Sequence, residues 1–430
     1  MQNDSPHRNI GHIGLKASKR SSQGPFLFAI RAVFCLLCVL CSYVVELQAQ
    51  DFKTLKDGVE YAEVTKEISG KVVQMNLLRL DLKKVRLDVH HAMDAAIGTE
   101  KTSSIATRHG AFAAINAGFF RLDKSEFAGD SAGLLMIDGE LLSEGVYWRT
   151  ALVIDNAKRK PRTDFFSLNG WQEIALTNED GMYLHLNGIN RQLTTKDFVL
   201  YTKDFGATTK TESNGTEIVL SKCQRSKAKS NFFTHCANAM IYEKTGNSAI
   251  PRDGYVISLS HEEFSEKAVI LEILDKYIKG KNRKSKLILR PSIILQGAGF
   301  EVSQTTDIIS GVPQLIKDSK IDITWEQEKS SESFVETRHP RTAVAKLKDG
   351  KFLMITVDGR SESSGGIGLQ DLAEYLLSLG ATDAMNLDGG GSTTMFVDGK
   401  VVNKPSDKEG ERKVGDAILV TLRKGDRKKR

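Results

Sequence analysis

Beyond its first 49 residues this 430-residue chain holds only two cysteines, Cys223 and Cys236. With His235 the sole histidine beside them and no second Cys-x-x-Cys, a zinc site of the usual four-ligand kind is excluded. Charge of one sign is also scarce. The formal net charge is +6, and Arg8, Lys16, Lys19, Arg20 and Arg31 against Asp4 and Glu46 leave only +3 for the rest. No helix-turn-helix pattern or basic-aromatic array accompanies the basic end Arg423–Arg430, so nucleic acid is not an expected partner. No Gly-x-Ser-x-Gly elbow surrounds Ser392, which removes a serine hydrolase of that type. No repeat period is visible. The N-terminal apolar run Ala32–Val45 falls short of the about 20 residues that span a bilayer.

What is present at the N-terminus reads as an address. A basic, Ser-rich leader precedes that apolar run, and Ala49 suits a signal-peptidase cut, so residues 1–49 are expected to be a signal peptide or an uncleaved membrane anchor. A lipid-bearing Cys41 is the weaker option, because Leu40 stands where a small residue is wanted. Export to the periplasm or outside the cell follows from either. In that setting Cys223 and Cys236 form a disulfide, stabilising by about 3 kcal/mol in the chain-entropy model, or remain two buried thiols. Asn214-Gly215-Thr216 fits a glycosylation sequon, relevant only in a cell that glycosylates.

With 40% hydrophobic and 27% charged residues, the chain can bury a large core. Strand-like alternation dominates, as in Val72–Leu80, Val85–Val89, Val199–Thr202, Glu217–Leu220 and Tyr255–Leu259, with Asp-Gly and Asn-Gly turns between. Two helices stand out: Glu262 to Lys279, stopped by Gly280, and Leu369 to Leu379, with Leu372, Ala373, Leu376 and Leu379 on one face and Gly380 as its stop. This order implies an α+β fold, a strand-rich mixed sheet with a few packed helices, over one domain at 51–422 followed by a basic tail at 423–430.

Four clusters sit at the ends of apolar strands. Ala113-Ala114-Ile115 delivers Asn116 and Gly118. His339 and Arg341 flank Pro340 before a strand, and Arg341 offers a planar fork suited to phosphate or carboxylate. Phe352–Val357 leads into Asp358-Gly359-Arg360. Asn386-Leu387-Asp388 runs into Gly389, Gly390 and Gly391, whose lack of Cβ lets a ligand approach the main-chain N–H groups, and then into Ser392 and Thr393. Each cluster singly is compatible with a plain turn or a core ion pair. Their shared placement at strand ends makes a common site the better reading.

Asn116-Ala117-Gly118-Phe119-Phe120, His339-Pro340-Arg341-Thr342-Ala343, Val357-Asp358-Gly359-Arg360, Leu387-Asp388-Gly389-Gly390-Gly391-Ser392 and Asn403-Lys404-Pro405-Ser406 occur in that order. The set resembles the phosphodiester glycosidase family. Asn190-Arg191, Leu200-Tyr201-Thr202, Ile250–Tyr255 and Gly311–Leu315 extend the resemblance over about residues 100–420. Family members often have Gly-Gly where this chain has Ala117-Gly118, and Ser221–Gly246 is individual, which bears on substrate more than on fold.

The resemblance implies hydrolysis of the anomeric C–O bond of a sugar-1-phosphodiester, with N-acetylglucosamine one candidate sugar and a phosphomonoester as the other product. A phosphate monoester leaves easily, so the site needs cations and N–H groups more than an acid. Arg341, Arg360, His339 and the Gly389–Gly391 amides would supply them. An oxocarbenium-like centre needs a carboxylate beside it, Asp388 first and Asp358 second, as nucleophile or as base. Asn116, Gly118, Ser392 and Thr393 would contact the sugar or the phosphate. No cofactor is required, though a divalent cation on Asp358 and Asp388 would instead make a metal phosphodiesterase. A non-catalytic glycan or exopolysaccharide binder of the cell envelope is the other alternative. The expected partner is a phosphorylated glycan, with membrane contact only through an uncleaved N-terminus.

Overall fold

The computed structural model describes residues 51–423 apart from 147, 158–160, 169–172, 178–182, 186, 226–233, 263–266, 270–271, 273–286 and 293–302. The N-terminal address segment, most of the expected Glu262–Lys279 helix and all but the first residue of the basic tail lie outside these. Among the described residues no helix is long and apolar enough to cross a membrane.

Phe352–Val357 is apolar without alternation because both of its faces are covered, as such runs require. It lies near the middle of an eight-stranded sheet, paired antiparallel with Lys71–Leu80 on one side and Arg341–Leu347 on the other. Phe352 and Met354 enter a core shared with Leu78, Val344, Met385, Val89, Ile115 and Ile418. Leu353, Ile355 and Val357 enter a second core with Leu372, Ala373 and Leu376. Each such fully buried side chain contributes about 1.5–3 kcal/mol.

The first core is closed by a five-stranded sheet in the order Lys400–Val401, Met395–Val397, Ala113–Asn116, Asp416–Leu422 and Val85–His91. The second is closed by the helix Leu369–Ser378, whose Leu372, Ala373 and Leu376 are wholly buried. The chain leaves that helix at Leu379 and turns at Gly380, where φ is +88°. A second eight-stranded sheet holds Phe198–Tyr201, Gly215–Arg225, Thr234–Thr245 and Tyr255–Leu259. Its short Gly188–Ile189 strand runs parallel to Phe198–Tyr201, while the other pairs in that sheet are antiparallel. Cys223 and Cys236 face each other across two of these strands and form a disulfide.

The α+β reading therefore holds, with the strands distributed over several sheets. Two short helices, Thr102–Arg108 and Glu332–Glu336, carry too few turns to register as a periodic stripe.

Candidate active site

Antiparallel pairing brings the motif-bearing strand ends to one edge. Arg341 pairs with Val357, and Ala343 with Asn386, so Arg341, Asp358 and the Asp388 turn emerge on the same side of the eight-stranded sheet. In the facing sheet Asn116 pairs with Ala417, which places Asp416 beside Ala117-Gly118. The two edges are stitched together by Asn116, which is fully buried. Its Oδ1 accepts from Thr342 Oγ1 at 2.7 Å and from the Thr394 N–H at 3.0 Å, and its Nδ2 donates to the Asp388 carbonyl at 2.6 Å. Asn116 thus fixes where the Asp388 turn sits.

Two carboxylates meet at this seam. The Asp388 N–H donates to the Ala117 carbonyl at 2.9 Å, and the Ala117 N–H donates to the Asp416 carbonyl at 3.2 Å. Asp416 is wholly buried, its Oδ1 accepts the Gly118 N–H at 2.6 Å, and its Oδ2 has no hydrogen-bond partner among the described residues. Burial pushes the Asp416 carboxyl up to about 7; the Gly118 N–H pulls it down, and the neighbouring Asp388 charge pushes it up again. Burial likewise raises Asp388 to about 6, against the Ser392 hydroxyl, the Gly389 N–H and the positive charge of Arg412. Asp416 is therefore the more readily protonated of the two.

Cations lie on the other side of the turn. The Arg341 guanidinium is buried and donates to the backbone carbonyls of Phe334 at 2.6 Å, Thr337 at 2.9 Å and Ile367 at 3.3 Å, with its carbon 4.8 Å from the Phe334 ring centre. It meets no carboxylate among the described residues. Burial and the Arg360 charge lower it to about 10. Arg360 is exposed, adopts φ +57°, and lays its guanidinium against Gly390, where a Cβ would come within 3.1 Å of Nη2. His339 is half-buried, and burial followed by the charges of Arg341 and Arg360 keeps its imidazole below its ordinary value. The result is a positive patch with two guanidinium groups and a neutral imidazole.

The glycine turn is tightly built. The Gly390 N–H donates to the Pro340 carbonyl at 2.9 Å, and a Cβ on Gly389 would lie 2.7 Å from that same oxygen. Residues 390–392 form a single 3-10 turn. Two of the three glycine amides are therefore engaged within the protein, Gly389 with the Asp388 carboxylate and Gly390 with Pro340. Ser392 and Thr393 are buried in the wall behind the turn.

Asp358 supports the turn from behind. Its Oδ1 accepts from Asn403 Nδ2 and from the Lys404 N–H, each at 3.1 Å, and Asn403 in turn donates to the Thr393 carbonyl at 3.0 Å and accepts from the Met395 N–H at 2.7 Å. Burial holds its carboxyl above the ordinary value, and those donors offset this only in part. Over Gly391 lies a bidentate pair, Arg412 to Asp407 at 2.7 and 3.0 Å, so close that a Cβ there would stand 2.2 Å from both side chains.

The strand-end residues expected from the sequence are thus gathered at one seam. Asn116 and Asp358 are bonded to protein groups there, while Arg360, His339 and Asp388 are the least enclosed of the expected side chains. Asp416 and Arg412 were not anticipated. Val414-Gly415-Asp416 carries a faint signal, an acid at the start of an apolar strand like the other clusters.

A further group of metal-ligating side chains, His90, Asp94 and His109, has its donor atoms within 4.8 Å of one another. Arg108 already contacts the Asp94 carboxylate and reaches Glu100 at 2.9 Å. Neither Asp358 nor Asp388 belongs to this group.

Residues 231–421 match a family model described as phosphodiester glycosidase, and the resemblance to that family stands on this match. SPbeta prophage-derived uncharacterized protein YomE of Bacillus subtilis (strain 168) is 39% identical over 107 residues, 25% of this chain and 16% of that protein. N-acetylglucosamine-1-phosphodiester alpha-N-acetylglucosaminidase of Bos taurus is 38% identical over 109 residues, 23% of this chain and 20% of that protein. The chain thus matches about a fifth or less of the length of these curated relatives. A solved hypothetical protein from Synechocystis shares the fold, with a TM-score of 0.68 at 21% identity over 87% of this chain and 64% of that one. So does a Burkholderia pseudomallei K96243 protein provisionally described as exported, with a TM-score of 0.63 at 22% identity over 82% of this chain and 74% of that one.

Proposed function

We propose that this chain is a phosphodiester glycosidase that hydrolyses the anomeric C–O bond of a sugar-1-phosphodiester. The observation that carries this reading is the seam itself: the raised acid pair Asp388 and Asp416 lies across one glycine turn from the positive patch of Arg341, Arg360 and His339. A phosphodiester supplies one anion for the patch and one electrophilic anomeric carbon for the carboxylate. The named relative from Bos taurus acts on such a bond by its description, which agrees with this assignment.

In the proposed reaction Arg360 and His339 take the phosphate oxygens at the open side, and Arg341 supplies positive potential from beneath. Asp388 faces the anomeric carbon and stabilises the oxocarbenium-like charge as the phosphate departs; a water oxygen then bonds to that carbon and its proton passes to solvent, completing the hydrolysis. Asp416 does not reach substrate; it positions the Gly118 N–H and holds the proton of the pair, leaving Asp388 ionised. Export is part of the proposal, supported by the N-terminal segment and by a disulfide of the kind that persists in oxidising compartments.

The test is hydrolysis of N-acetylglucosamine-1-phospho-methylmannoside by purified protein. Sugar release that falls by about 10²–10⁴ in a folded Asp388→Asn variant supports the assignment, in line with loss of a positioned catalytic carboxylate. Full turnover by that variant would sink it.

A further inference from the structure

A cavity of about 390 Å³ opens on the second eight-stranded sheet, and none of the residues at the seam lines it. Its volume falls in the ~300–1,000 Å³ range of small-molecule sites. Its wall begins where one sheet face changes character. Val199, Tyr201 and Val256 on that face are apolar and packed with Phe127 and Phe205, whereas the next cross-strand pair, Glu217 and Ser258, is polar and completely buried.

Glu217 is a built feature. Its carboxylate accepts from Thr209 Oγ1 at 2.6 Å, Thr211 Oγ1 at 2.7 Å, Ser258 Oγ at 2.6 Å and the Ser248 N–H at 2.7 Å. Burial pushes its pKa up, but these four donors outweigh burial and hold it below the ordinary value, so the group stays ionised. The same bonds fix the loops at 209–211 and at 248 around the opening.

The remaining lining mixes polar side chains with the apolar Leu193 and Leu259 and with His261. Hydroxyls come from Thr194, Thr195, Thr211 and Ser260, and flat carboxylate or amide groups from Glu126, Gln192, Glu212, Asn214 and Glu262. Among the described residues Lys210 is the only lysine or arginine in the lining, and its ammonium lies 3.4 Å from Glu126. The field inside is therefore negative, which repels phosphate and other anions. Flat groups with two in-plane acceptors or donors suit vicinal hydroxyls, and short hydroxyl side chains fill the gaps between them.

We infer that this cavity binds a short, uncharged carbohydrate through its hydroxyls, at a site separate from Asp388 and independent of the proposed reaction.

The inference is tested by saturation-transfer NMR and calorimetric titration of the full chain with glucose, N-acetylglucosamine and their β-1,4-linked disaccharides, with glucose 6-phosphate as the anionic probe. Thr195, exposed at the mouth, is replaced in Thr195→Trp to plug the opening without touching the core, and Gln192→Ala removes one flat group at the rim. Saturable millimolar binding of a neutral sugar that persists in Asp388→Asn, and weakens about tenfold or more in Thr195→Trp or Gln192→Ala, supports it. Absence of saturable binding by every neutral probe overturns it. So does binding unchanged in both rim variants, or glucose 6-phosphate competing there as well as the neutral sugars.

Discussion

Gly118 and Asp416 are fitted to each other: the Gly118 N–H donates to Asp416 Oδ1 at 2.6 Å, and a Cβ on Gly118 would stand 3.1 Å from Oδ2. Gly118→Ala leaves the backbone conformation accessible but pushes a methyl group against a buried carboxyl that cannot retreat. A destabilisation of about 1–3 kcal/mol is expected from such overpacking, measured by urea unfolding. Activity should fall further than stability does, because the displaced carboxyl belongs to the pair that includes Asp388.

Asp416→Asn separates the proton from the shape. The Asp416 carboxyl has its folded value raised to about 7 from an ordinary 3.8, so the stability it contributes is present at low pH and is lost as pH rises through that window. The variant should lose less stability than the wild type between about pH 4 and pH 7. It should also lack the alkaline fall in kcat/KM near pH 7 that the wild type is expected to show, while retaining activity below it. A wild-type profile flat through pH 7, or an unchanged profile in the variant, contradicts the assigned role.

Arg412 acts on Asp388 through charge. Its guanidinium, held by Asp407, favours the ionised carboxylate. Arg412→Ala should raise the Asp388 pKa above its value of about 6 and shift the acid limb of kcat/KM to higher pH. Arg412→Lys should restore much of the limb's position, because a point charge substitutes for the fork in this respect. A merely structural role would lower stability without moving the limb.

Arg360 is exposed, and no described carboxylate pairs with it, so its removal should spare the fold. Arg360→Ala is expected to lower kcat/KM for a phosphodiester by about 10–100-fold, the worth of one charge-assisted hydrogen bond. Its thermal midpoint should match that of the wild type. An equal loss on an uncharged aryl glycoside would count against phosphate recognition.

Much of this arrangement was legible in the sequence where periodicity or composition carries it. The Phe352–Val357 run, the Leu372-Ala373-Leu376 stripe with Gly380 behind it, and the glycine turn after Asp388 each announce themselves locally. The Cys223–Cys236 pairing was one of two readings and is the one formed. Asp416 and Arg412 were not legible, because their meaning comes from neighbours distant in the chain: Asp416 from the Gly118 N–H, Arg412 from a turn about twenty residues earlier. Asn116 was visible but not its use. Its side chain is consumed by Thr342, Thr394 and Asp388, contacts that exist only once two sheets meet.

Hydrolysis of N-acetylglucosamine-1-phospho-methylmannoside in ¹⁸O water, followed by mass analysis of both products with and without EDTA, separates C–O from P–O cleavage. C–O cleavage by the carboxylate puts label in the released sugar and none in the phosphomonoester, at the same rate with chelator. Label in the phosphate with loss of activity in EDTA would contradict it and place the chemistry at phosphorus; no turnover of any sugar-1-phosphodiester would contradict it in favour of a glycan-binding protein.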